Sequence, residues 1–181
     1  MTDEEPVRLW AHAAVGDTEN VASVREDLLE IVIGEAPYQT ESYPHVTILP
    51  KIELPPNTVE TFREAVLDCE LTDHPVVVTG TRIWPSEDDP RVIMLSVNVP
   101  GLEDYRTRLL ELVKDLGGEV INEPHKPHIT LIKVEDEYFD DPIAISEKLQ
   151  TDLFDTLENI ELFKTTLTSI STDTFNVTDS E

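Results

Sequence analysis

Apolar residues recur along the chain at two spacings, one typical of strands and one typical of helices. The stretch Val7–Val15 is rich in apolar residues, which predicts a strand, and apolar positions from Val21 to Val32 follow at helical spacing. That spacing predicts a helix over residues 18–33, ended by Gly34. By the same criteria, further strands are predicted at about 45–54, 74–84, 91–99, 128–134 and 158–170, and further helices at about 58–68, 102–116 and 142–155.

The predicted order of elements, β-α-β-α-β, occurs twice along the chain. The separation is 85 residues from Val7 to Val92 and 83 residues from His45 to His128. An internal repeat of this kind predicts two similar lobes related by a pseudo-two-fold axis. We expect one bilobal domain over residues 1–181, with lobe one at about 1–85, lobe two at about 86–181 and the join at Pro85–Pro90.

Two of the predicted strands begin with the same motif. Residues 44–48 read Pro-His-Val-Thr-Ile, and residues 127–131 read Pro-His-Ile-Thr-Leu. Because side chains alternate between the faces of a strand, His45 and Thr47 share one face, as do His128 and Thr130. The aliphatic residues between them face the other way and are candidates for the core. Each motif therefore presents an imidazole and a hydroxyl together.

This pair of motifs supplies the groups needed to catalyse cleavage of a phosphate ester bond. Histidine titrates near neutral pH, so either imidazole can accept or donate a proton. One histidine on each side of a phosphorus atom suits a nucleophile that enters opposite the departing oxygen. The threonine hydroxyls can donate hydrogen bonds to the non-bridging oxygens, where negative charge grows. The near-equivalence of the motifs leaves open which histidine is the base and which is the acid.

The paired His-x-Thr-aliphatic motifs resemble the signature of the 2H phosphoesterase superfamily, and within it the 2′-5′ RNA ligase or cyclic phosphodiesterase group. The resemblance covers most of the chain, including Val7–Trp10, Thr79–Pro85 and Pro90–Met94. It implies a bilobal α+β fold, with two pseudo-symmetric β-α-β-α-β lobes whose antiparallel sheets enclose a central cleft. It also implies catalytic roles for the histidine and threonine of each motif, and no cofactor.

Four further residues are candidates for substrate binding. The resemblance implies a basic residue three positions after the second motif threonine, where Lys133 stands, although strict alternation turns this side chain to the opposite face. Arg91 can clamp a phosphate or form a structural ion pair. The family often has an aromatic residue where this chain has Pro50. Tyr43 or Trp84 can supply stacking in its place, and a core position is the alternative for each.

We predict no metal site. His125 and His128 have a His-x-x-His spacing that, with His45, is compatible with zinc, but residues three apart on an extended chain face opposite sides. His12 lies in the first predicted strand. By the symmetry of the lobes its side chain can line the cleft; a core or edge position is the alternative.

The chain is strongly acidic, with 38 Asp and Glu against 13 Lys and Arg and a formal net charge of −25. It is nevertheless 39% hydrophobic with periodic apolar positions, which is typical of a folded protein. Molar salt shortens the Debye length to about 3 Å, so this charge indicates a halophile with a high-salt cytosol. The single Cys69, the acidic first residues and the absence of a long apolar run predict a soluble, cytoplasmic protein.

We therefore expect a metal-independent phosphoesterase that opens 2′,3′-cyclic phosphates on RNA ends or nucleotides, acting as a monomer with no obligate protein partner and no membrane contact. The alternatives are a 2′-5′ RNA ligase, which joins a cyclic-phosphate end to a 5′-hydroxyl end, and a non-catalytic protein that binds RNA ends. Hydrolysis is favoured because ligation needs a groove that holds a second RNA strand. Binding in such a groove depends on Lys and Arg contacts to phosphates and weakens with salt.

Overall fold

The chain folds around an antiparallel β-sheet. A computed structural model describes residues 4–16, 18–32, 38–40, 43–68, 70–123 and 125–175. The strands are β1 (Val7–Val15), β2 (Tyr38–Gln39), β3 (His45–Leu54), β4 (Pro75–Ser86), β5 (Asp89–Asn98), β6 (Glu119–Val120), β7 (His128–Val134) and β8 (Lys164–Phe175). The helices are α1 (Thr18–Val32), α2 (Val59–Leu67), α3 (Leu102–Asp115) and α4 (Glu147–Glu158). Within these residues, none of the helices has the length and apolar character needed to span a membrane.

The predicted alternation of strands and helices is confirmed, with the two short strands β2 and β6 added to it. The described strands are ordered β2-β7-β5-β4-β8-β1-β3-β6, and their pairings are antiparallel. Exchanging β1–β4 with β5–β8 reverses this order. The sheet therefore has the pseudo-two-fold symmetry that the repeat predicted.

The two halves of the repeat interleave. β4 pairs with β5, and β8 pairs with β1, so the last strand of each half lies beside the first strand of the other half. β4 and β8 also pair with each other through Pro75–Val77, which joins the two expected sheets into one. The segment expected to link the lobes is the tip of the β4–β5 hairpin, with a turn at residues 87–88. A lobe boundary at about residue 85 stays a prediction.

The two motif strands turn their aliphatic side chains into the core. Val46, Ile48, Ile129 and Leu131 are fully buried in a cluster that also contains residues of all four helices. Helix α3 packs against β3, and α1 packs against β7. Since side chains alternate along a strand, the histidines and threonines of the motifs lie on the face of the sheet away from this core.

Two elements of the second half lie later in the chain than predicted, with α4 at Glu147–Glu158 and β8 at Lys164–Phe175. Helix α4 begins at Glu147 rather than near 142, because Ser146 caps it by accepting a hydrogen bond from the Leu149 N–H at 3.1 Å. Strand β8 continues to Phe175, since it pairs with β1 as far as Arg8. The predicted helix end at Gly34 lies outside the described residues.

The net charge of −25 predicts that folding stability depends on salt. Raising KCl from about 0.1 M to about 2 M is expected to raise Tm, because screening at high ionic strength weakens the self-repulsion of the compact state. Thermal unfolding followed by circular dichroism across a KCl series measures the effect. A Tm that stays flat or falls over that range contradicts the halophile interpretation.

Candidate active site

The two motifs lie side by side on neighbouring strands. β3 and β7 meet in an antiparallel bridge that pairs Val46 with Ile129. In this register the histidine of each motif falls opposite the threonine of the other. Both bridge residues are fully buried, whereas the four polar motif residues are half-buried. The four polar side chains thus share one face of the sheet.

The separation of the two histidines suits a single phosphate group. Residues two apart on a strand are separated by about 6.6 Å, and residues directly opposite each other by about 5 Å. The diagonal between the Cα atoms of His45 and His128 is therefore on the order of 8 Å. A phosphate seated over the bridge is within reach of both imidazoles and both hydroxyls.

Each motif histidine makes the same local hydrogen bond. The Nδ1 of His45 donates to the carbonyl of Tyr43 at 3.3 Å, and the Nδ1 of His128 donates to the carbonyl of Lys126 at 3.0 Å. A carbonyl oxygen only accepts, so Nδ1 carries the hydrogen in both rings and Nε2 carries the lone pair of the neutral form. Nε2 is therefore the atom of each ring that can take up a proton from a reacting group.

His12 of β1 reaches the same site from the core. It is 2% exposed, and its ring centroid lies 5.5 Å from that of His45. Its Nε2 donates to Asp173 at 2.6 Å, while the hydroxyl of Tyr43 donates to its Nδ1 at 2.7 Å. Trp10 stacks on the ring at 4.2 Å. This network holds Tyr43, whose carbonyl accepts the hydrogen bond that orients His45.

A pocket of about 340 Å³ opens beside His45. Two of the predicted substrate-binding residues, Tyr43 and Lys133, line it together with Trp10, Gln39, Thr40 and Asp173. Aromatic faces and a cation next to an imidazole suit a planar, anionic ligand. A larger cavity of about 450 Å³ between α1 and α4 is lined by several acidic residues, which repel an anion.

Comparison with solved structures identifies the architecture. The chain is similar to TT0787 of Thermus thermophilus, at 18% identity and a TM-score of 0.61 over 91% of this chain and 86% of that one. It is also similar to the MHV ns2 PDE domain, at 11% identity and a TM-score of 0.57 over 96% and 100% of the two chains. It is similar to E. coli LigT as well, at 17% identity and a TM-score of 0.51 over 94% of this chain and 88% of that one. These proteins are 2H phosphoesterases.

The chain has the 2H phosphoesterase fold. The likeness is one of structure, since no protein-family model and no curated protein sequence matches the chain.

In this 2H phosphoesterase fold, Lys133 stands on the same face as Thr130, contrary to strict alternation. The β5–β7 register shifts after Thr130, which makes Leu131 an extra, bulged residue. Leu131 and Ile132 are consequently both buried, and alternation resumes with Lys133 half-buried. The Lys133 Nζ lies 3.3 Å from Asp136 and lines the pocket beside the first motif. Its role as a substrate ligand stays a prediction.

Arg91 and Trp84 are held in contacts near the β4–β5 hairpin. Arg91 donates to Asp89 from Nη2 at 2.6 Å and from Nε at 3.0 Å, and Nη1 donates to the carbonyl of Phe139. The hydrogen bond with Arg91 lowers the pKa of Asp89 and raises that of Arg91. Trp84 stacks on Phe139 with ring centroids 5.7 Å apart. These contacts match the structural ion pair considered for Arg91 and give no support to substrate binding by either residue.

The His-x-x-His spacing belongs to no metal cluster within the described ranges, where no group of three or more His, Cys, Asp or Glu side chains is arranged to hold a metal ion. His125 is exposed ahead of β7, whereas His128 is half-buried.

The surroundings of His128 favour its neutral form. Burial is the main cause that lowers the pKa of His128 from its ordinary value of 6.5. The positive charge of Arg82 and the two other imidazoles nearby, His125 and His45, lower the pKa further, while the hydrogen bond to the Lys126 carbonyl opposes them. His128 therefore keeps its Nε2 lone pair at neutral pH.

Sequence reasoning missed Arg106, which connects the two motifs from helix α3. Its side chain is buried, with 3% exposure, and donates from Nε to the carbonyl of Ile48 and from Nη2 to the carbonyl of Thr47, both at 2.8 Å. Its Nη1 donates to the carbonyl of His125 at 3.0 Å and pairs with Glu103 at 3.1 Å. One guanidinium thus holds the backbone of the first motif against the segment that leads into the second.

Proposed function

We propose that this chain is a metal-independent phosphoesterase that opens 2′,3′-cyclic phosphates on RNA ends or nucleotides. The observation that carries the proposal is the antiparallel bridge between Val46 and Ile129, which sets the polar residues of both motifs on one face of the sheet. Two imidazoles and two hydroxyls supply an acid, a base and hydrogen-bond donors, so the reaction needs no further group.

In the proposed reaction His128 is the base and His45 is the acid. The lowered pKa of His128 leaves its Nε2 able to take a proton from water while the water oxygen bonds to phosphorus. On the opposite side the bond from phosphorus to one ribose oxygen breaks, and that oxygen takes a proton from Nε2 of His45. The products are a phosphate monoester and a ribose hydroxyl. Proton exchange with solvent then restores both histidines.

The two motif threonines stabilise the charge that develops during this step. Thr47 and Thr130 flank the space between the histidines, because each lies opposite the histidine of the other motif in the β3–β7 register. Their hydroxyls donate hydrogen bonds to the two non-bridging oxygens, which carry more negative charge in the transition state than in the substrate.

The nucleoside attached to the phosphate occupies the pocket beside His45. Trp10 and Tyr43 offer aromatic faces, on which stacking of a base contributes about 1–3 kcal/mol, and Lys133 offers a positive charge. E. coli LigT has been solved in complexes with 3′-AMP and with ATP, which supports nucleotide binding by this fold. A site that reads one terminal nucleotide suits a chain of net charge −25, since long phosphate-binding grooves depend on many cations.

An oligonucleotide ending in a 2′,3′-cyclic phosphate, incubated at high salt with and without a 5′-hydroxyl partner, tests the reaction. The expected product has unchanged length and a ring-opened monophosphate end in both mixtures, and EDTA leaves the rate unchanged. A longer product that resists a 3′-5′-specific nuclease identifies a 2′-5′ RNA ligase instead. Binding without any product identifies a non-catalytic RNA-end binding protein and contradicts the proposal.

The acid limb of the rate profile is expected to be centred below pH 6.5. Since the pKa of His128 is lowered from 6.5, most of the base is neutral at that pH, and it becomes protonated at lower pH. A series of kcat/KM values against pH, with a 2′,3′-cyclic nucleotide as substrate, locates this acid limb. An acid limb centred above pH 6.5 contradicts the assignment of His128 as the base.

A further inference from the structure

Arg82 of β4 stands on the face of the sheet that carries the motifs. It pairs with Met94 of β5, and Met94 pairs with Thr130 of β7. Residues directly paired across antiparallel strands project to the same face, so these three side chains form a row that ends at the second motif. The Arg82 Nη2 lies 3.3 Å from the Met94 Sδ, which agrees with the two side chains sharing one face of the sheet.

The guanidinium of Arg82 lacks strong acceptors in the part of the chain that the structure describes. Its Nε is buried and makes no hydrogen bond, and its Nη2 contacts a thioether sulfur, which is a weak acceptor. Four other arginines each form an ion pair with a carboxylate: Arg8, Arg63, Arg91 and Arg106. In a chain with 38 acidic and 13 basic residues, a half-buried guanidinium beside the motif, with a buried Nε–H that makes no hydrogen bond and no carboxylate partner among the described residues, indicates a place for an anionic ligand.

The pseudo-two-fold symmetry of the site is broken at this position. In the first half, Ser171 of β8 pairs with His12, which in turn pairs with Thr47. Ser171 therefore holds the position that corresponds to Arg82, and the first half has a neutral hydroxyl there. Asp173, bonded to His12, adds a negative charge on that side. An anion placed between the motifs is drawn towards the second half.

We propose that Arg82 binds the phosphate group of substrate and product on the His128 side of the site, through its Nε and Nη hydrogen atoms. The proposal rests on the proposed function, because it takes the space between the motifs as the phosphate site. A guanidinium presents Nε–H and Nη–H as a planar fork that matches two phosphate oxygens. Arg82 therefore favours the dianionic monoester product over the singly charged cyclic substrate, which makes the product an inhibitor.

Isothermal titration calorimetry with inorganic phosphate tests this proposal on the wild-type chain and three variants. Arg82→Gln is expected to weaken phosphate binding at least about tenfold, the effect of losing a hydrogen bond between charged groups. Arg82→Lys keeps the charge without the fork and is expected to weaken binding by less. Arg63→Gln, which removes an ion pair with Glu60 on α2, is the matched control and is expected to bind like the wild type.

Nuclear magnetic resonance of the wild-type chain gives a second readout that needs no substitution. The Nε–H resonance of Arg82 is expected to shift on addition of phosphate, while that of Arg63 does not. Unchanged phosphate affinity in Arg82→Gln, or an unresponsive Arg82 resonance while phosphate binds, overturns the proposal. A wild-type chain that binds phosphate through Arg82 but opens no cyclic phosphate contradicts the proposed function alone. Hydrolysis with unchanged phosphate affinity in Arg82→Gln contradicts the role of Arg82 alone.

Discussion

Replacing His128 with alanine is expected to lower kcat for opening a 2′,3′-cyclic phosphate by about 10²- to 10⁴-fold, the usual contribution of a positioned acid or base. Alanine removes the Nε2 lone pair that takes the proton from water, and no other described group on that strand can replace it at neutral pH. His45→Ala is expected to lose a similar factor, because the ribose oxygen then departs without a proton. Steady-state turnover of a 2′,3′-cyclic nucleotide at high salt measures both.

His125→Ala is the matched control for this experiment. His125 precedes His128 by three residues and is exposed, so its loss is expected to change kcat by less than about threefold. The double variant lacking both motif histidines is expected to lose little more than either single variant, because the acid and the base act in one step. Near-normal turnover in His45→Ala or His128→Ala rejects the two-histidine mechanism.

Replacing Arg106 with methionine is expected to lower the free energy of unfolding by about 3–5 kcal/mol, the range for breaking a buried charged network. Methionine fills part of the volume but leaves the carbonyls of Thr47, Ile48 and His125 without the donor they share. For a chain of this length such a loss lowers Tm on the order of 10 °C. Denaturant unfolding in high-salt buffer measures the change.

Arg108→Met, on the same helix, is the control for Arg106→Met. Arg108 lies over the ring of Tyr105 at 5.7 Å on the exposed side of α3, so its loss is expected to cost less than about 1 kcal/mol. Equal effects of the two substitutions contradict the view that Arg106 holds the motifs together.

The part of the site that could be predicted from the sequence is the part that depends on local alternation. His45, Thr47 and the buried Val46 between them follow from period two within one strand. The repeat added long-range information, because two copies of one motif at a constant offset predict two symmetry-related strands. In the structure these strands are β3 and β7, which pair through Val46 and Ile129. No further contact was needed to place the four polar residues together.

The rest of the site depends on contacts that local patterns do not record. Lys133 reaches the motif face because a bulge at Leu131 resets the alternation, and a bulge depends on the register with the neighbouring strand. Asp173 bonds His12 across 161 residues of chain, through the pairing of β8 with β1.

Arg106 interrupts the apolar stripe of α3 four residues after Leu102 and three before Leu109, and that position is the signal which could have revealed it. From the sequence alone, a charged residue at that position only interrupts the stripe, because the backbone carbonyls that accept its hydrogen bonds are not known. Its acceptors at Thr47 and Ile48 are more than fifty residues away along the chain.

A crystal structure of the chain with a nucleoside 2′-monophosphate tests whether both motifs hold a single phosphate. One phosphorus atom is expected between the two motifs, with phosphate oxygens at hydrogen-bond distance, about 2.6–3.2 Å, from Nε2 of both His45 and His128. A phosphate that contacts only one of these rings, or binds elsewhere on the molecule, contradicts this expectation.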